Sequence, residues 1–387
     1  MTTPTLFAIR GPLLLGTSIE QGTLIIDGER IVSVQRGLLR DGNLPPLVHD
    51  ADLTSPGLID LQVNGAHGVE VDDNPRHIEH ISRWSVSSGV TAWLPTVITA
   101  GADTYPGIFT SWQEVNNGIG ATPLGFHLEG PFLSPARKGA HRLDLIESAP
   151  DSLLDLWIEQ DSIKLVTLAP DRPGAIGHIR RLRERGIVVS LGHTDATFED
   201  FGSGVDAGAT MATHLYNAMS PMHHRKPGAM IAAMTDDRVT AGLIPDAVHS
   251  HPAAVRLAIR AKGPDRIAIV SDMMAATGLS RGTFQIGRRD VTVTGEAVTL
   301  PDGTLAGSVL TMDRAVRNLV EWGGVPVAEA LHMCSFVPAN VLDDTSRGRL
   351  IAGARADLTC WSSDLVVQRT YIGGEVRFGE HAEALLP

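Results

Sequence analysis

Cysteine is nearly absent: the 387 residues contain only Cys334 and Cys360, too few for a disulfide framework. Also missing is any run of about 18 apolar residues, the length a membrane-crossing helix requires. The opening MTTPTLFAIRGPLLLGTS has no basic start, and LFAI and PLLL are each too short for the apolar part of a secretion signal. No leader or anchor is therefore expected, which makes the cytoplasm the expected compartment. Nor is there a basic patch. The formal charge is −12, and RRLRER at 180–185 lies in a helix-like stretch where it reads as a solvated face. Such a surface repels phosphodiester backbones and anionic lipid heads, so neither nucleic acid nor membrane is an expected partner. Low-complexity tails are lacking too. The 40 glycines and 23 prolines are dispersed between apolar runs, as a fold with many loops demands.

What is present is a globular composition, 43% hydrophobic and 20% charged, on a chain long enough for one large barrel with an accessory domain. Residues 1–55 read as short β-strands, with Asp27-Gly28 as a hairpin turn between alternating apolar runs. Residues 349–387 repeat that pattern, with Gly373-Gly374 at a second turn. Neither end alone buries much area, so the two are expected to form one small β-sandwich domain. Between them, in 56–348, eight short apolar runs recur: 57–63, 90–98, 123–129, 163–169, 186–192, 209–216, 239–245 and 266–272. Runs apolar on both faces suit parallel strands covered by helices. Eight such units predict an α/β fold, a (β/α)8 TIM-like barrel, with a doubly wound open sheet as the structural alternative. Residues 284–308 read as a β insertion after the eighth run, and two helical stretches follow it.

A barrel of this kind carries its chemistry at the C-terminal ends of the strands. The third run ends in His127-Leu128-Glu129, the fifth in Gly192-His193, and the sixth carries Thr213-His214. The seventh leads to Asp246 and His249, and the eighth ends in Ser271-Asp272. Glu129, His193 and His214 form a two-imidazole, one-carboxylate set of the kind that holds catalytic zinc with a position left for water. Iron, cobalt or manganese would also suit it. His127 shares a strand face with Glu129 and is expected to orient it. Asp272 ends an otherwise apolar run where a barrel enzyme places its general base; the competing reading is a helix N-cap. The 223–228 segment, HHRKPG, reads as a solvated basic loop.

These residues fall within longer motifs: PGLID at 56–60, HLEGPF at 127–132, KGAH at 138–141, GHTDAT at 192–197, THLYNAM at 213–219 and LAGS at 305–308. In that order, over nearly the whole chain, they resemble the N-acetylglucosamine-6-phosphate deacetylase family of the amidohydrolase superfamily. The resemblance implies hydrolysis of N-acetylglucosamine 6-phosphate to glucosamine 6-phosphate and acetate. It assigns metal binding to Glu129, His193 and His214, acid–base work to Asp272, and polarisation of the acetyl carbonyl to His141. It further implies substrate contacts from Ala140, Asn217, Ala218, His249 and Leu305, Ala306 and Gly307. Arg225 would reach the sugar phosphate across the interface of a homodimer. One departure stands out. Many amidohydrolases carry His-x-His after strand one, whereas this chain has Gln62 and Asn64. Neutral amides are poor zinc ligands, so one divalent ion per subunit is expected. The rival readings are an amidohydrolase acting on N-acyl amino acids or cyclic amides, and a non-catalytic scaffold that has no need of these ligands.

Overall fold

The computed structural model describes residues 6–116, 118–286, 289–295 and 297–380. Residues 1–5 and 381–387 of the expected terminal domain, and 287, 288 and 296 of the expected β insertion, lie outside the described residues.

Eight parallel strands follow one another around a barrel. They are Leu58–Val63, Val90–Ile98, Phe126–Glu129, Ile163–Leu168, Val188–Leu191, Met211–Ala212, Thr240–Leu243 and Ile267–Ile269, called strands one to eight below. Strands five and seven are buried at every position, as expected where helices cover the outside and side chains fill the inside. The ring closes beyond the end of strand eight. Val63 bridges Met273 in parallel, the Asp272 N–H donates to Gln62 O (3.0 Å), and the Asn64 N–H donates to Met273 O (2.8 Å). The closing contact thus lies at the mouth and fixes the backbone of Asp272.

All eight expected strands occur, but strand six is only Met211–Ala212, far shorter than the 209–216 run. The reason lies in the turn that follows. His214, Tyr216 and Ala218 take φ of 28°, 82° and 51°, values no strand accommodates. After strand eight, Gly282–Ile286, Arg289–Thr294, Ala297–Thr299 and Leu305–Ser308 form a four-stranded antiparallel sheet, the expected insertion. Its last strand is tied to the mouth, the Ser308 N–H donating to Asp272 O (2.9 Å).

The chain ends share a separate sheet. Its path runs from Glu375–Phe378 through Val367–Ile372, Leu358–Trp361, Leu53–Pro56, Leu6–Leu15 and Ser18–Asp27 to Arg30–Arg36. Leu53–Pro56 pairs antiparallel with Leu358–Trp361, which makes the two ends one sheet. Phe7 and Ile9, and Leu24 and Ile26, alternate inward at the two-residue period and pack with Leu358 and Tyr371 in a core separate from the barrel's. Gly373 and Gly374, with φ of 54° and 77°, make the hairpin turn that L side chains would strain.

Candidate active site

Six residues at the ends of strands five to eight hold positive φ without being glycine: His193 (47°), His214 (28°), Tyr216 (82°), Ala218 (51°), Ala247 (64°) and Asp272 (51°). Four of them, His193, His214, Ala218 and Asp272, line the cavity at the mouth, a strain typical of functional sites. Gly192, just before His193, has no alternative. A Cβ there would lie 2.7 Å from Cβ of Thr213.

Glu129, His193 and His214 are all buried and converge. Glu129 Oε1 lies 3.0 Å from His214 Nε2 and 3.3 Å from His193 Nε2, and the two Nε2 atoms are 3.0 Å apart. Ligands on a tetrahedral zinc with bonds of about 2.0–2.1 Å stand about 3.3 Å from one another, so the set has the right span for one ion. His193 Nδ1 donates to Arg137 O (2.9 Å), which leaves the Nε2 lone pair for the centre. Burial acts to raise the Glu129 carboxyl, but hydrogen bonds from His193 and His214, and the nearness of His193 and His141, hold it well below the usual carboxylate range. Burial opposes charge on His214, yet its bond to Glu129 raises it. Three buried ligand groups, their donor atoms all within 4.8 Å of one another, could hold one cation.

The amides at the strand-one end face this site as donors. Gln62 Nε2 donates to Glu129 Oε1 (3.0 Å), and Asn64 Nδ2 donates to Asp272 Oδ1 (2.7 Å). Both amides thus use their N–H groups on carboxylates, as donors rather than as ligands. Asp272 is buried. Desolvation first, and the Glu129 charge second, push its carboxyl up to about 6. No helix follows it, which removes the N-cap reading. His141 packs edge-on to His193, with centroids 4.4 Å apart. The Thr99 N–H (3.3 Å) and hydroxyl (2.7 Å) both point at His141 Nδ1, so Nε2 carries the proton. That Nε2–H stands 3.7 Å from Glu129 Oε2, beside the triad.

A cavity of about 410 Å³ opens over these groups; of the expected catalytic, metal and substrate residues all but Arg225 line it, while His127 and Asp246 lie behind its wall. His249 donates from Nδ1 to Asp246 Oδ2 (2.7 Å), which turns its Nε2 to the cavity. Asn217 spends its amide N–H groups on His214 O (3.2 Å) and Leu215 O (3.3 Å), which leaves its Oδ1 available as an acceptor. Ala140, Ala218 and Leu305–Gly307 contribute wall. Arg225 is exposed, outside the cavity of its own chain, on the loop where the His223 and His224 rings lie 4.5 Å apart. His127 does not touch the Glu129 carboxylate. It donates from Nδ1 to Leu61 O (3.0 Å) and meets Thr167 Oγ1 from Nε2 (2.7 Å), and burial lowers it to about 4, so it is neutral.

Sequence reasoning missed the supports. Thr99 fixes the tautomer of His141, and the carbonyl of Arg137 fixes that of His193. Ile98 and Met274 add apolar wall. A backbone carbonyl leaves no trace in residue type, and only the nearness of Arg137 to KGAH hinted at it.

A model of the amidohydrolase family matches residues 53–377. The chain is 38% identical over 336 residues to N-acetylgalactosamine-6-phosphate deacetylase of Escherichia coli O157:H7, a match that covers 84% of this chain and 88% of that one. It is 36% identical over 383 residues to human N-acetylglucosamine-6-phosphate deacetylase, over 94% and 93% of the two chains. Among solved structures, N-acetylglucosamine-6-phosphate deacetylase from Pasteurella multocida matches with a TM-score of 0.90 at 31% identity, over 96% of this chain and 99% of that one.

Proposed function

Because the chain belongs to the amidohydrolase family, and within it to the N-acetylglucosamine-6-phosphate deacetylases, we propose that it hydrolyses N-acetylglucosamine 6-phosphate to glucosamine 6-phosphate and acetate. The observation that carries this reading is the convergence of Glu129, His193 and His214 beside Asp272 and the protonated Nε2 of His141. The triad would hold one divalent ion, zinc by its donor set, which supplies a more acidic water and a polarised carbonyl when bound.

The rest is done by the chain's own groups. Asp272 accepts the proton of the attacking water and passes it to the sugar nitrogen, which then leaves as an amine. The Asn64 bond holds the Asp272 carboxylate in place through both transfers. His141 donates its Nε2–H to the acetyl oxygen as that atom gains charge, a contribution worth roughly 3–4 kcal/mol for one well-placed donor. His249 positions the phosphate, Asn217 Oδ1 accepts from a sugar hydroxyl, and Ala218, Ala140 and Leu305–Gly307 shape the sugar's seat. Arg225 completes the phosphate site of a second copy in a homodimer, which accounts for its exposure here. The small β domain is assigned to 1–55 with 349–387 and the catalytic barrel to 56–348. We assign the enzyme to the cytoplasm; no helix among the described residues is long and apolar enough to cross a membrane.

The experiment is amine release by the purified, zinc-loaded protein from N-acetylglucosamine 6-phosphate, its 4-epimer, N-acetylglucosamine, N-acetyl amino acids and cyclic amides. Preferred turnover of the first compound is expected. Preferred turnover of an N-acetyl amino acid or a cyclic amide overturns the reading, and preference for the 4-epimer corrects the sugar.

A further inference from the structure

One layer below the triad, the barrel interior holds a chain of buried polar side chains that the proposed chemistry does not use. Ser190 Oγ lies 2.6 Å from Thr213 Oγ1, Thr213 Oγ1 lies 2.7 Å from Thr167 Oγ1, and Thr167 Oγ1 lies 2.7 Å from His127 Nε2. His127 Nδ1 ends the chain on Leu61 O at 3.0 Å. All four side chains are at most 2% exposed.

The direction of every bond follows from one end. Leu61 O can only accept, so His127 carries its proton on Nδ1 and its Nε2 is an acceptor. Thr167 must then donate to His127, Thr213 to Thr167, and Ser190 to Thr213. Each hydroxyl has one proton and each proton has one place, so the chain has a single fully satisfied arrangement. A buried network of this sort is stiff, because any break strands a polar group away from water.

The strands it joins are the significant point. Residue 127 precedes Glu129 by two positions on strand three, Thr213 adjoins His214, and Ser190 lies three residues before His193 on strand five. Thr167 sits on strand four, which supplies no ligand, and bridges the others. Gly192 packs onto the same layer, with its would-be Cβ 3.1 Å from Thr167 Cγ2. We propose that the Ser190–Thr213–Thr167–His127 chain is a positioning device that sets the spacing of the three ligand-bearing strands and so the affinity and geometry of the cation site. The proposal rests on the reading of Glu129, His193 and His214 as that site.

Thr167→Val is the test, because it keeps the shape, breaks the chain at its middle and touches no ligand. Metal-free protein is titrated with Zn²⁺ against a chelator of known affinity, and Co²⁺-loaded protein is examined for its visible absorption. Thr167→Val is expected to raise the Kd for Zn²⁺ at least threefold, less than the roughly 10- to 100-fold cost of losing a direct partner of a metal ligand, because Thr167 bonds to no ligand and acts through the spacing of the strands. It is also expected to shift the Co²⁺ bands. Thr167→Ser keeps the hydroxyl and is expected to restore both. Thr370→Val, which removes a buried bond to Val86 O in the terminal sheet, is expected to lower Tm and leave the Kd unchanged. If Thr167→Val does not fold, Ser190→Ala cuts the far end of the same chain and is expected to raise the Kd severalfold. A Kd within twofold of wild type and unshifted Co²⁺ bands in the folded variant overturn the proposal. Wild-type protein that binds neither ion overturns the cation-site reading itself.

Discussion

Replacement of Asp272 by asparagine separates the acid–base role from cation binding. Asparagine has the same shape, and its Oδ1 can still accept from Asn64 Nδ2, now 2.7 Å from the carboxylate. It also tolerates the φ of 51° better than most residues. The backbone bonds from Asp272 N–H to Gln62 O and from Ser308 N–H to Asp272 O do not depend on the side chain. Fold and triad therefore persist, and what disappears is the proton acceptor. General-base catalysis contributes about 10²- to 10⁴-fold, so kcat is expected to fall by at least 10²-fold while elemental analysis still finds the cation. Burial and the Glu129 charge push the Asp272 carboxyl up to about 6, and a bound cation draws it down again. The acid limb of wild-type kcat against pH is accordingly expected at about 6 or lower, with activity lost as pH falls through it. The residual activity of Asp272→Asn is expected to lack that limb. A kcat within tenfold of wild type in cation-loaded Asp272→Asn, or a wild-type limb above pH 7, refutes the assignment.

Other outcomes follow from the same geometry. His141→Ala is expected to lower kcat by about 10²- to 10³-fold with the cation retained, since it removes the donor aimed at the carbonyl; steady-state kinetics on cation-loaded protein check this. Arg225→Ala is expected to raise KM for the 6-phosphorylated sugar at least tenfold and leave the neutral sugar unaffected; equal effects on both would remove Arg225 from the phosphate site. Asp60 is fully buried, its Oδ2 has no partner, and burial raises its carboxyl to about 7. A raised carboxyl favours the fold most at low pH. Its contribution is complete below the unfolded pKa near 4 and is lost as pH climbs to about 7, a change on the order of 4 kcal/mol for the shift. Asp60→Asn is expected to flatten denaturant-measured stability between pH 4 and 7, and an unchanged slope contradicts this.

The barrel was readable because apolar runs ending in Glu129, His193, His214 and Asp272 have no purpose in a hydrophobic core. Strand six was overestimated, since ATMATHLY looks continuous until the backbone of His214 and Tyr216 turns through positive φ. His127 was expected to support Glu129 directly. A two-residue spacing places side chains on one face, but it does not say whether they bond to each other or to the layer beneath. Arg225 was not legible from its own segment, because HHRKPG reads as a solvated basic loop and the fold leaves that loop exposed outside the cavity.

The most direct test of the account is cation stoichiometry with the triad intact and altered. Elemental analysis of the zinc-loaded protein is expected to give one ion per chain, and Glu129→Gln, His193→Ala and His214→Ala are each expected to lose both the ion and turnover. Two tightly held ions per chain, or full turnover by any of the three variants without an ion, contradicts the claim that these side chains share a single cation.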